Sequence, residues 1–177
     1  MSIDIAVFGG GCFWCLETVF DMLRGVNKVE SGYSAGDTDN PDYASICRGD
    51  TGHAEVVKIE FDPGIISYRK LLEIFFSVHD PTTINRQGND IGTQYRSIIL
   101  STSKEQDKIA RDYVEKLKGK KAYPDRIVTT IEPLGKFYRA EDYHQHYFAS
   151  NTRAPYCNAV ISPKIDSVKA KFKDILK

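Results

Sequence analysis

A short apolar segment, Ile3 to Phe8, runs directly into Gly9-Gly10-Gly11, and behind the glycines comes Cys12 and a stretch with apolar residues at Leu16, Val19, Phe20 and Leu23. This order constrains the chain more than any other stretch. An extended apolar run predicts a strand, three glycines free the backbone to turn, and the helical spacing predicts a helix from about Cys12 to Arg24. Such a helix must lay its apolar stripe on a sheet, which sets a layered architecture from the first two dozen residues.

Val29 to Tyr33 predicts a second strand, and residues 35–52, rich in Gly, Asp and Asn, a long loop of the kind that usually carries function. His53 to Phe61 alternates, with Val57, Ile59 and Phe61 on one face and Lys58, Glu60 and Asp62 on the other. A helix follows over Ser67 to His79, then a polar loop from Asp80 to Gln94, a strand from Tyr95 to Leu100, and a helix ending near Gly119 whose Ser103 and Gln106 form a capping-box pattern. Ile127 to Ile131 predicts a strand, Glu141 to Phe148 a short helix, and Ser162-Pro163 the start of a last helix carrying Ile165, Val168, Phe172 and Ile175. Strands and helices alternate irregularly. The expectation is an α+β two-layer sandwich, a mixed β-sheet with flanking helices and long active-site loops, ahead of a small parallel α/β fold.

The 177 residues predict a single domain, residues 1–177, with a mobile segment around 150–162 before the last helix. Lys plus Arg and Asp plus Glu are 24 each, so the basic surplus that phosphate binding wants is missing and nucleic acid is not expected as a partner. No apolar run reaches membrane-spanning length, and Met1-Ser2-Ile3-Asp4 has no basic n-region, so a cytoplasmic protein is expected. In that setting four cysteines are expected to be reactive, metal-bound or buried rather than structural disulfides.

Cys12 falls where a strand ends and a helix begins. Free N–H groups and the helix dipole there favour a thiolate, which predicts a Cys12 partly ionised near neutral pH. Cys15 lies one helical turn on, within reach of a disulfide. Two other readings stand beside this one: a buried packing thiol, and a zinc ligand, although only Cys12 and Cys15 are paired while Cys47 and Cys157 are isolated. Glu55 shares the parity of Val57, Ile59 and Phe61, which turns a carboxyl toward the apolar face at the loop end of a strand. Desolvation there raises its pKa, as a general acid requires. Tyr43 and Tyr95 sit at similar loop–strand junctions, Asp90 is either an orienting group or an Asx-turn residue, and His53 is either a base or a hydrogen-bonded loop residue. By position alone Tyr43, Tyr95 and Asp90 read as structural, as do His144 and His146.

Together the segments resemble the type A peptide-methionine sulfoxide reductases, over about Phe8 to Lys164: Gly11-Cys12-Phe13-Trp14, Tyr43 ahead of Cys47, Gly52-His53-Ala54-Glu55, Arg86-Gln87-Gly88-Asn89-Asp90, Gly92-Thr93-Gln94-Tyr95-Arg96-Ser97 and Ala140-Glu141-Asp142-Tyr143-His144-Gln145. The resemblance implies an α+β sandwich with a ferredoxin-like (plait) core and reduction of the S epimer of methionine sulfoxide, free or in oxidised proteins. It implies Cys12 as nucleophile, Glu55 as acid, Tyr43 and Tyr95 as donors to the sulfoxide oxygen, Asp90 assisting, and Phe13 and Trp14 holding the terminal methyl group. No cofactor or metal is implied. The sulfenic acid left on Cys12 condenses with another cysteine, and thioredoxin closes the cycle. Cys15 and Cys157 are both resolving candidates, alone or in sequence, and Cys47 reads as structural. A monomer is expected. The competing function is a thioredoxin-like CxxC thiol–disulfide oxidoreductase built on Cys12 and Cys15, which leaves Glu55, Tyr43 and Tyr95 without a role.

Overall fold

The computed structural model describes residues 2–177. Strand β1 (Asp4–Gly9) leads through the glycine turn into helix α1 (Phe13–Asp21), and β2 (Val26–Ser34) returns. Helix α2 (Tyr43–Arg48) lies in the long loop, followed by β3 (Ala54–Phe61), α3 (Tyr68–Val78), the hairpin β4 (Arg86–Gln87) and β5 (Asp90–Ile91), β6 (Ile98–Ser101) and α4 (Lys104–Gly119). The chain ends with β7 (Thr130–Pro133), β8 (Phe137–Arg139), α5 (Tyr147–Ser150) and α6 (Ser162–Lys171). Six strands form one sheet in the order β7-β6-β1-β3-β2-β8. Every neighbouring pair is antiparallel except β6 with β7, so the sheet is mixed and the parallel α/β alternative is set aside.

Ala6, Phe8, Val29, Tyr33, Val57, Ile59 and Phe61 of the sheet meet Leu16, Val19 and Phe20 of α1 and Leu71, Leu72 and Phe75 of α3 in the main core. Alternation along β3 places Val57, Ile59 and Phe61 there, while Ala54 and Val56 join Val7, Ile98 and Leu100 in a smaller cluster. The helices begin on chemistry visible in the sequence: the Ser67 side chain accepts from the Lys70 N–H, and Ser103 from the Gln106 N–H. The Gln106 side chain does not complete the box. It accepts from the Thr102 N–H and donates to the Ile5 carbonyl, tying α4 to β1.

Several boundaries differ from expectation, always where a local feature overrides the hydrophobic period. The loop over 35–52 contains α2 because Asp42 and Ser45 cap each other reciprocally. Tyr95 closes a 3₁₀ turn over Thr93–Tyr95 instead of opening a strand. The strand expected at 127–131 is centred later, at β7, since its residues pair with Ile98–Ser101. The helix expected over 141–148 is split into a 3₁₀ turn, Asp142–His144, and α5 by His146, whose φ of 54° is left-handed. β8 and the β4–β5 hairpin carry too few residues to show any period.

Candidate active site

Cys12 caps α1, and the Gly11 N–H donates to the Tyr95 carbonyl at 3.1 Å, so the glycine turn is fastened to the turn that carries Tyr95. Gly11 has φ of 83°, a conformation that glycine takes without penalty. Glu55 comes from β3, the central strand beside β1, and is 1% exposed. Tyr43 opens α2, and Asp90 begins β5. Cys12, Phe13, Trp14, Tyr43, Glu55, Asp90 and Tyr95, singled out at five places in the sequence, line one cavity of about 160 Å³ together with Tyr156.

The electrostatics of the cavity favour neutral groups. Burial pushes the Glu55 carboxyl up to about 8, against the Phe13 N–H, which donates to Glu55 Oε1 at 3.1 Å. Cys12 departs from the expectation of a preformed thiolate. Burial, then the neighbouring Glu55 and Cys15, hold its thiol well above the ordinary range, and the Trp14 N–H offsets only part of that. Being desolvated outweighs being at a helix end. Tyr43 and Tyr95 are raised as well, mainly by burial, so both hydroxyls are protonated donors.

The aromatic wall is built from distant segments. The Trp14 indole N–H donates to His144 Nδ1 at 3.1 Å, and its ring stacks on Tyr147 with centroids 3.6 Å apart. Phe13 packs on Tyr33 and His144. His144 is buried in this wall and His146 is exposed, while His53 is bonded at both ring nitrogens within its loop, to the Gly36 N–H and to the Thr38 carbonyl. Two contributors were not singled out as site residues, although Glu141 lies in the Ala140–Gln145 motif. Tyr156 enters the cavity and donates to Asp90 Oδ2 at 2.6 Å, across 66 residues; its place next to Cys157 was the one available hint. Glu141 accepts from Tyr33, from the Tyr43 backbone and from Tyr143.

All four cysteines are free. Cys15 follows Cys12 by one turn, its N–H donating to the Cys12 carbonyl at 3.2 Å, and burial pushes its thiol up to about 11. Cys15 and Cys157 lie in one apolar cluster with Ile161 and Ile165, and Cys47 is exposed on α2. A thiol, a protonated carboxyl, two phenolic hydroxyls and an apolar wall around one small cavity suit a ligand bearing a polar oxygen beside a methyl group.

The model of the peptide methionine sulfoxide reductases matches residues 4–176. The chain belongs to that family. It is an oxidoreductase that reduces methionine sulfoxide. The peptide methionine sulfoxide reductase MsrA of Polynucleobacter asymbioticus is 53% identical to this member over 175 residues, covering 99% of the chain and 92% of the relative. Among solved structures, reduced Mxr1 from Saccharomyces cerevisiae is similar with a TM-score of 0.79 at 36% identity, covering 88% of this chain and 89% of its own. Mxr1 in complex with Trx2 is similar with a TM-score of 0.56 at 26% identity over 82% of this chain and 84% of its own.

Proposed function

We propose that this family member acts on the S epimer of methionine sulfoxide, peptide-bound or free, with Cys12 as nucleophile and Glu55 as acid. The convergence of Cys12, Glu55, Tyr43 and Tyr95 on one cavity carries this reading. A sulfoxide sulfur resists attack until its oxygen gains a proton or strong hydrogen bonds. Glu55, still protonated at neutral pH, supplies the proton while Tyr43 and Tyr95 donate to the same oxygen, with Asp90 shaping the polar side. The carboxylate left on Glu55 then accepts the Cys12 thiol proton, so the thiolate forms as the oxygen becomes a leaving group. The Cys12 sulfur attacks the sulfoxide sulfur, forming an S–S bond as the protonated oxygen departs as hydroxide. That hydroxide then attacks the Cys12 sulfur, breaking the S–S bond, so that thioether methionine is released and Cys12–SOH remains, the cysteine oxidised and the sulfoxide reduced. Phe13 and Trp14 hold the methyl group, which fixes which epimer presents its oxygen to Glu55.

Resolution runs inside the chain. Cys15 attacks Cys12–SOH, expelling water and forming a disulfide within one helical turn. Cys157, which shares an apolar cluster with Cys15, takes the disulfide over by exchange and frees Cys12. A thioredoxin dithiol reduces the Cys15–Cys157 disulfide, a step supported by the likeness to Mxr1 bound to Trx2. Cys157 is fully buried, so the segment around 150–162 opens for that last exchange. The chain works as one catalytic domain, monomeric and cytoplasmic. The strand order β6-β1-β3-β2, antiparallel throughout, with α1 joining β1 to β2 and α3 on the connection from β3 to β6, supports a two-layer α+β sandwich with a ferredoxin-like core. A CxxC oxidoreductase would need neither Glu55 nor the two tyrosines.

Single-turnover reduction of the separated S and R epimers, with free thiols counted afterwards, tests the reading. Reduction of S alone with thiols lost in pairs is expected; reduction of R at a comparable rate would overturn the assignment.

A further inference from the structure

Tyr43 reaches the cavity from a six-residue helix in a long loop, so something outside that loop has to fix where its hydroxyl points. Glu141 stands where such a fixture is needed. Its Oε2 accepts from the Tyr43 backbone N–H at 3.0 Å and from the Tyr143 hydroxyl at 3.1 Å, and its Oε1 accepts from the Tyr33 hydroxyl at 2.9 Å. Tyr33 is fully buried in β2, pairs across the sheet with Glu55 and packs its ring on Phe13. One carboxylate therefore bridges the strand beside the acid, the helix that carries Tyr43, and the turn after β8.

Glu141 is itself held by the sheet. β8 pairs with β2 through Arg139 and Gly32, and the Ala140 N–H extends the ladder to the Ser31 carbonyl. Beyond Glu141 the Gln145 side chain imitates one more strand residue: its oxygen accepts from the Ser31 N–H and its nitrogen donates to the Ser31 carbonyl. The turn carrying Glu141 is pinned on both sides to a strand of the central sheet. Burial works to raise the Glu141 pKa, but the hydrogen bonds donated to its carboxylate outweigh it and hold the pKa below the ordinary value, so the ionised form is favoured.

We propose that Glu141 is a positioning residue for the sulfoxide-reduction step, holding the start of α2 against the sheet so that the Tyr43 hydroxyl meets the substrate oxygen. The proposal rests on Tyr43 being a donor to that oxygen. A displacement of about 1 Å at a catalytic group can cost on the order of a hundredfold in rate, which sets the scale.

A double-mutant cycle on single-turnover reduction of methionine sulfoxide tests it, using Glu141→Ala, Tyr43→Phe and the pair. Tyr43→Phe is expected to slow the step by roughly tenfold or more, through loss of a hydroxyl donor. Glu141→Ala is expected to slow it by a similar factor, about ten- to a hundredfold, with the half-saturating substrate concentration changing less than about threefold because the methyl-holding rings keep their places. The double variant should lie within about twofold of the slower single variant. Glu141→Gln keeps one acceptor oxygen and should lose only about threefold; it runs the same cycle if the alanine variant fails to fold. Effects that multiply in the double variant, or an unchanged rate in Glu141→Ala, would overturn the positioning role and leave Tyr43 as a donor. An unchanged rate in Tyr43→Phe would remove the Tyr43 role and this inference with it.

Discussion

Glu55 keeps its proton at neutral pH because almost no water reaches its carboxyl, and one hydrogen bond from the Phe13 N–H does not replace that lost hydration. The same burial gives two pH dependences. The reaction needs the protonated acid, so single-turnover reduction should hold level below pH 7 and fall as pH rises through about 8. Stability has the opposite relation to the raised pKa. Between the ordinary carboxyl value of 4.5 and about 8, the folded chain binds a proton that the unfolded chain has released, so Glu55 costs stability as pH rises through that window. Glu55→Gln should therefore slow reduction by a hundredfold or so and yet raise the melting temperature relative to the parent, by more at pH 8 than at pH 4.5. Thermal unfolding at the two pH values checks it, and a variant equally destabilised at both would contradict the burial argument. Cys12 shows the same physics at a thiol: the helix terminus favours charge, but dry surroundings and a carboxyl neighbour weigh more.

Among elements, the turn from β1 into α1 does the most to place the chemistry. Gly11 adopts a left-handed φ, and a Cβ there would lie 2.7 Å from the Gln87 side chain of the β4–β5 hairpin that also carries Asp90. Gly11→Ala should destabilise the fold by about 1–2 kcal/mol. It should also slow single-turnover reduction, because relief of the clash moves either Cys12 or the hairpin. A variant with parental stability and rate would show that the turn tolerates a side chain. Helix α2 makes the complementary case: it is short and internally capped, and it depends on buried Ile46 and on Glu141 for its seat.

For the whole molecule, the paths of the cysteines matter most. Cys12 and Cys15 belong to one helix start, but Cys157 comes from the far end of the chain and meets Cys15, not the cavity. Cys15→Ser and Cys157→Ser should match the parent in the first turnover. They should separate in thioredoxin-driven turnover: Cys15→Ser should accumulate the sulfenic acid on Cys12, trapped by dimedone, while Cys157→Ser should accumulate a Cys12–Cys15 disulfide that mass spectrometry identifies. A Cys12–Cys157 disulfide in the parent after one turnover would reverse the order.

Much of this was legible in the sequence. Periodicity reports which face of an element is buried, and so it found the α1 stripe and the inward parity of Glu55 on β3, while residue type marked the Ser103 cap. The family's ordered motifs named all seven candidate residues that the cavity gathers. Tertiary structure alone decided what depends on distant neighbours. The strand order, the Tyr156–Asp90 bond across 66 residues and the Glu141–Tyr43 bond across 98 leave no periodic trace, because nothing within a segment reports which distant segment it will meet. The protonation of Cys12 belongs here too. A sequence shows that a thiol sits at a helix start, but whether it is charged depends on how much water the folded surroundings leave it.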